Sequence, residues 1–390
     1  MEINMKVNVL PAATYNWLKM NEGEIKEKNI VITNTKTPEI RGISDGVSLK
    51  KVSFDEVEKI MTPYFDEAKE KYQDVSKSNG DMYYKNEAQV IKTGLGIESD
   101  KMFRKLGVET QVITIEENKK IKRPLIISFE QKNKEGFATS QLIHAKANSE
   151  IIVIMEYNSE VNDEGFNAIT TRVLADEGAK VTLVKVQLLG NKVIHIDDIG
   201  SYCKDKSKFK LIQMEIGAQK TWTGAYTTLL GDESIFENKV GYFQKDNQKL
   251  DMNYISDHRA KKTRADMVYR GILKDSANKV WRGTIDFHRG SSGSVGDEQE
   301  DTLILGEDIV NRTIPLILCQ EEDVDGRHGA SIGQLGEEEL FYMQSRGISK
   351  ERAEEMMIKA RLDSIAREIP SKEIAGKIEG RLPLASGAQQ

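Results

Sequence analysis

Between about Met82 and Gln320 the chain is a succession of short apolar runs, among them PLIISFEQ, EIIVIMEY, KVTLVKVQLL, FKLIQMEIG and LDMNYISD. Runs of this length, rich in β-branched and aromatic residues and bounded by turn formers, read as strands. The separating pieces are Asp176-Glu177-Gly178, Gly231-Asp232-Glu233, Lys274-Asp275-Ser276 and the loop from Arg289 to Ser294. No amphipathic helix is legible between them. Without crossover helices the long parallel sheets of doubly wound and TIM-barrel folds are excluded, which leaves a sandwich, a propeller or a β-solenoid. Small residues ahead of an apolar strand recur in ANSEIIVIM, GAKVTLVKV, GAQKTWTGA and SANKVWRGTI, at uneven spacing that allows no strict repeat to be written. Solenoid coils of roughly 20–30 residues tolerate such irregularity because each coil touches mainly its neighbours.

The flanks have a different period. From Met1 to about Gln73 the chain reads as helix and loop. LPAATYNWLKM forms a first amphipathic helix and SFDEVEKIMTPYFDEAKEKYQ a second. Ser53 and Glu56 make a capping box for the second, with Phe54, Val57, Ile60 and Met61 behind it, and Pro63 is expected to bend or interrupt it. After Gly336 the helical period returns in EEELFYMQSRG and ISKERAEEMMIKARLDSIAREI, the latter capped by Ser349. Ala353, Met356, Met357, Ala360, Leu362, Ile365 and Ile369 form its apolar stripe. Such a stripe is usually core, but a terminal helical pair on an elongated body can also offer it to a partner. Pro370 ends this helix, KEIAGKIEGRL forms a short last one, and LPLASGAQQ is a frayed tail. The division is an N-terminal helical region at 1–80, a β core at 81–335 and a C-terminal helical region at 336–390.

A length of 390 residues exceeds the roughly 100–200 of one ordinary domain, so several domains or one elongated repetitive body is expected. Apolar residues make up 38% and charged residues 30%, and no apolar run approaches the ~18 residues of a membrane span. The opening residues lack the basic end and apolar stretch of a signal peptide, so a cytoplasmic protein is expected. Its two cysteines, Cys203 and Cys319, are read as free thiols. A net charge of −6 argues against a nucleic-acid surface, and a protein or metal partner fits better.

Cys319 and His328 are the sharpest chemical pair, nine positions apart across an acidic turn. Thiolate and imidazole suit iron, zinc or a nascent cluster. A closed metal site needs about four ligands, and no CxxC accompanies them; a cysteine on an apolar strand also reads as a small buried hydrophobe. His144, His195, His258 and His288 are scattered among the strands and read as satisfied or solvent-exposed. Asp257 and His258 point to opposite faces of a strand and do not meet. Cys203, in the polar context SYCKDKSK, reads as an exposed or edge thiol. The loop RGSSGSVGD lacks a Walker lysine and a following helix, so no nucleotide is expected on this chain.

The stretch from Thr313 to Ile348, through His328-Gly329-Ala330-Ser331, Leu340-Phe341-Tyr342 and Arg346-Gly347-Ile348, resembles the C-terminal signature of the SufB/SufD family, paired scaffold proteins of the SUF iron–sulfur cluster assembly machinery. The opening residues Leu10, Pro11, Trp17, Leu18, Lys19 and Asn21 are similar to SufD. The resemblance implies a right-handed parallel β-helix flanked by helical regions. It puts Cys319, at the end of Pro315-Leu316-Ile317-Leu318-Cys319, where SufB-type sequences carry a cysteine and typical SufD sequences an apolar residue. It puts His328 on the family histidine implicated in assembly at the SufB–SufD interface. Gly329 stands where SufB has a carboxylate, and Gly326 where many SufD sequences have a cysteine. By this resemblance the chain is a non-catalytic SufD-like scaffold. It would pair with a SufB-type protein through its final coils and with the SufC-type ATPase through its C-terminal helices, where Phe341, Tyr342, Arg346, Met356 and Met357 are the candidate contacts. A transient iron or iron–sulfur cluster would sit at a subunit interface. One alternative is a SufB-like homodimeric cluster scaffold. Another is a carbohydrate-active β-helix enzyme, whose clustered carboxylates or calcium-dependent Arg/Lys cleft and secretion signal are not visible here.

Overall fold

The computed structural model describes residues 1–12, 14–32, 34–71, 91–334 and 336–383. Short strands β1 (Ile3–Val7), β2 (Gly23–Glu27), β3 (Asn34–Thr35), β4 (Glu39–Arg41) and β5 (Val47–Val52) come first, followed by helices α1 (Phe54–Lys71) and α2 (Ile97–Lys105). Sixteen strands then alternate between two sheets. One sheet takes β6 (Thr110–Ile115), β8 (Glu135–Ala145), β10 (Glu164–Ala175), β12 (Lys192–Cys203), β14 (Lys220–Leu229), β16 (Lys249–His258), β18 (Asn278–Phe287) and β20 (Val310–Cys319). The other takes β7 (Leu125–Glu130), β9 (Glu150–Asn158), β11 (Lys180–Leu188), β13 (Lys208–Ile216), β15 (Ile235–Gln244), β17 (Arg264–Lys274), β19 (Ser294–Leu305) and β21 (Val324–Gln334). Neighbours within each set are parallel and in register, so the chain winds a parallel β-solenoid of about eight coils. The mainly β solenoid expected from the sequence is the fold observed.

Register turns the alternation of each strand into rows along the solenoid. Val153, Leu183, Leu211, Asn238, Met267 and Glu298 make one inward row, and Ala145, Ala175, Cys203, Leu229, His258 and Phe287 another, all buried. Like residues stack along such rows. Phe209 and Phe236 are paired in register with ring centroids 5.6 Å apart, a contact worth about 0.5–1.5 kcal/mol beyond area burial.

Each coil turns one corner with a residue at positive φ: Asn118, Asn148, Gly178, Lys206, Glu233, Lys262 and Gly293. The N–H of each donates to a corner carbonyl of the next coil, from Asn118 to Ala147 and onward to Gly293 to Asp323. This ladder satisfies backbone groups that a tight corner would otherwise leave unpaired.

Both outer faces are covered in part. The apolar side of α1, with Val57, Met61 and Tyr64, packs on Val112, Leu142, Leu174 and Tyr202. On the opposite sheet, helices α4 (Lys350–Ala366) and α5 (Lys372–Arg381) press Ile358, Leu362, Ile365, Ile374 and Ile378 onto Val184, Ile212, Met214 and Phe243. Strands with apolar residues on both faces are what parallel sheets under helices require.

Three local expectations are corrected. LPAATYNWLKM is not a helix but a loop with one 3₁₀ turn at Asn16–Leu18. Asn21 closes that loop, its backbone carbonyl accepting from Leu10 at 2.7 Å and its side chain accepting from the Tyr15 N–H at 2.7 Å. Leu10 meanwhile packs on Ile314 and Leu316, leaving Trp17 99% exposed. Second, α1 runs uninterrupted through Pro63, with its capping box formed as expected: the Ser53 N–H donates to Glu56 Oε2 at 3.0 Å and the Glu56 N–H to Ser53 Oγ at 3.3 Å. The last two residues of the expected helix, Tyr72 and Gln73, lie outside the described residues. Third, a helix does occur in the region read as strands only. In α2, Glu98 and Asp100 in the first turn and Arg104 and Lys105 in the last suit the helix dipole, while Met102 and Phe103 are buried.

At the C-terminus, Ser349 Oγ accepts from the Arg352 N–H at 3.2 Å, the cap expected for α4. Most of the tail, residues 384–390, lies outside the described residues. The ends of the solenoid differ. At the start, β5 pairs antiparallel with β6 and β4 with β7, closing both edges. At the finish, no described strand pairs with the outer edges of β20 and β21.

Candidate functional site

The bare end determines where the two sharpest residues lie. Cys319 is the last residue of β20 and continues the inward row that ends at Phe287. His328 continues the row that ends at Glu298. Both rows are buried until this coil, and both of these residues are exposed. They are exposed because no described coil follows, not because they face outward. His328 therefore lies within the last strand and not at a turn. Four strand residues, or about 13 Å, separate Val324 at the corner from His328, so the two side chains mark separate points of one open end. Cys319 Sγ donates to the carbonyl of Glu321 at 3.1 Å. His328 borders a concavity of about 620 Å³ that Asp297, Gln299, Asp301, Arg327 and Ser331 also line.

The other cysteine is not the exposed or edge thiol its polar neighbours suggest. Cys203 is the last residue of β12 and fully buried in the lumen; the polar residues after it belong to the corner. Burial pushes its thiol up to about 12. A thiolate-specific reagent at pH 8 is thus expected to label one thiol per native chain and two in denaturant, and Cys319→Ser should abolish the native reaction. Native labelling of two thiols would mean that the lumen opens at this coil.

The four remaining histidines are buried. His195 faces Asn167 through Nδ1, and His258 Nδ1 lies 2.7 Å from Thr263 Oγ1; burial lowers both rings to about 3, which keeps them neutral. His144 Nε2 lies 2.8 Å from the Tyr64 hydroxyl and 3.4 Å from Asp176. His258 does not meet Asp257, as strand alternation requires. Asp257 instead faces His288 Nε2 at 3.0 Å, and Asp286 is 3.0 Å from the same nitrogen. The Arg259 Nε–H donates to Asp257 at 2.6 Å, with the Tyr226 and Thr228 hydroxyls donating to its other oxygen. Asp257, Asp286 and His288 are close enough to hold a metal ion. Arg259 and an imidazolium already neutralise the two carboxylates, however, and a divalent ion would leave the buried group positive. Burial opposes the charge on His288, but Asp257 raises it above the usual histidine range. Asp257, despite burial, is held well below the carboxylate range by Arg259 and His288. The cluster is a closed ion network.

Sequence reading missed the charged lumen. Lys185 pairs with Asp197, and Lys279 pairs with Glu300, all with side chains at most 1% exposed. Glu215 and Glu298 are buried in the lumen beside them. The available signal was a charge inside an apolar run, as with Lys185 in KVTLVKVQLL.

The stripe of α4 turns mostly inward. Leu362, Ile365 and Ile369 are buried in one cluster with Met357 at its edge, and Ala353 is buried as well, whereas Met356 remains exposed. Ahead of it on α3 (Glu337–Ser345), Phe341 and Tyr342 are exposed, with the Arg346 guanidinium 5.2 Å from the Tyr342 ring centroid. No described helix is long and apolar enough to cross a membrane.

Comparison with known proteins agrees with this architecture. The chain is 27% identical over 248 residues to the iron-sulfur cluster assembly protein SufD of Bacillus subtilis (strain 168), covering 62% of this chain and 56% of that protein. It is 24% identical over 204 residues to an iron-sulfur cluster assembly SufBD family protein of Staphylococcus epidermidis (strain ATCC 12228), covering 52% and 44%. The chain thus spans about half the length of the curated relatives it matches. The family model for the SUF system FeS cluster assembly SufBD core domain matches residues 128–361, from the second coil strand to the middle of α4, and the chain belongs to that family.

Proposed function

We propose that this chain is a SufD-like, non-catalytic scaffold subunit of an iron–sulfur cluster assembly complex, working with SufB-type and SufC-type partners. The observation that carries the reading is the end of the solenoid: two inward rows, buried for the length of the body, finish in an exposed imidazole and an exposed thiol on strands whose outer edges no described strand pairs with. A partner that adds its own strands there would bury both groups and enclose whatever they hold. Exposed Phe341, Tyr342 and Met356 offer a second surface, suited to the ATPase. Iron or a nascent cluster is the cargo, with neutral imidazole and thiolate as its donors.

The test is His328→Ala in the complex coexpressed with its partners, scored separately for complex yield and for iron and visible absorbance. An intact complex with little cluster is expected. Full cluster content would remove His328 from assembly, and loss of the complex would make the histidine structural.

A further inference from the structure

One coil beneath His328 lies a side chain with no structural partner. Glu298 is 1% exposed, and neither carboxylate oxygen has a hydrogen-bond partner among the described residues. Its neighbour in sequence on the same face, Glu300, shows what a satisfied carboxylate looks like here. It is ion-paired to Lys279 and accepts from Tyr242 at 3.0 Å, Thr302 at 3.2 Å and Thr313 at 2.5 Å. Burying a carboxyl group without such partners is unfavourable. The surroundings make room for it all the same. A Cβ on Gly283 would fall 2.4 Å from Glu298 Oε2 and 2.5 Å from the Trp281 ring, so a glycine at 283 is what lets the carboxyl group lie there.

Register pairs Glu298 with His328, and paired parallel strands run about 4.8 Å apart. The row that contains them is apolar or amide up to Met267 and becomes ionisable only in these last two coils. The ammonium of Lys279 is committed to Glu300, and both oxygens of the Glu298 carboxyl group remain unpartnered among the described residues.

We infer that Glu298 and His328 together bind a divalent cation at the open end of the solenoid, Glu298 supplying the inner oxygen ligand and His328 the outer nitrogen. The inference rests on the reading of His328 as an iron-handling residue and adds the ligand that would hold the ion against the end of the lumen. One carboxylate with one imidazole suits Fe²⁺, Co²⁺ or Zn²⁺, and water or a covering partner completes the shell.

Co²⁺ titration of the full chain, followed by its visible ligand-field spectrum and by equilibrium dialysis, tests the pair. One ion per chain is expected. Glu298→Gln, which keeps shape, and His328→Ala should each weaken binding at least ~10-fold. Gly283→Ala, which displaces the carboxyl group, should weaken it as well. Full Co²⁺ affinity in folded Glu298→Gln overturns the inference. Failure of the underlying reading has another signature, normal cluster content in the coexpressed His328→Ala complex.

Discussion

Replacing Lys185 by methionine is expected to destabilise the chain by about 3–5 kcal/mol, the loss typical of a buried ion pair deprived of one partner. The Lys185 ammonium is ion-paired to Asp197, donates to Thr171 Oγ1 at 3.0 Å and sits 5.8 Å from the Tyr157 ring centroid. Both charged side chains are 1% exposed. Burial pulls Lys185 below the usual lysine range, and Asp197, Glu215 and Asp198 pull it back. Methionine keeps the length of the side chain and opens little cavity, so the loss reports the carboxylate left stranded. Asp197 already has one oxygen without a hydrogen-bond partner. Urea denaturation at pH 7, followed by tryptophan fluorescence, measures the effect. The double variant Lys185→Met, Asp197→Leu should recover most of it, because no charge then remains unpaired. A single-variant loss below about 1 kcal/mol would show that water reaches this part of the lumen.

The difference between what was legible and what was not follows from the solenoid itself. Apolar runs without intervening crossover helices announced the strands, and Ser53 with Glu56 and Ser349 announced two helix starts, because those signals are local. The coil repeat was hidden. Its corner needs one positive-φ residue per coil, but Asn118, Asn148, Gly178, Lys206, Glu233, Lys262 and Gly293 share a conformation and not a residue type. Lysine and glutamate can occupy it because the donated hydrogen bond to the next coil offsets the strain. At the N-terminus, the alternation of Ile3, Met5 and Val7 is a strand signal that the reading of this region as helix and loop leaves unused. Cys319 and His328 were found as a pair in sequence, yet their shared property is positional: each ends an inward row. Glu298 carried no local signal at all, since its meaning depends on register with a residue thirty positions later. Asp286 and His288 meet because residues two apart on an extended chain share a face.

Glu215 gives the lumen its pH dependence. Burial, together with the charge of Asp197, pushes its carboxyl group up to about 8, against Lys185 and a 3.3 Å hydrogen bond from Gln213 that lower it. In the unfolded chain the same group titrates near ~4.3. Between these values the folded state holds a proton that the unfolded state has lost, so this residue's contribution to stability is full below about pH 4 and falls as pH rises through 8. Each unit of separation is worth ~1.36 kcal/mol. Glu215→Gln removes the proton and keeps the shape, and its amide oxygen can still accept from Gln213. The variant is expected to match the parent chain near pH 4 and to exceed it by about 2–4 kcal/mol at pH 8. The comparison is a pair of urea denaturation series from pH 4 to 9. Other buried acids, such as Asp198 at about 6, tilt both proteins alike, so the difference between the two curves isolates residue 215. A difference that stays flat with pH would mean that Glu215 is ionised in the folded chain, with its charge carried by Lys185. The methionine variant at 185 should then gain more from Glu215→Gln than the parent does.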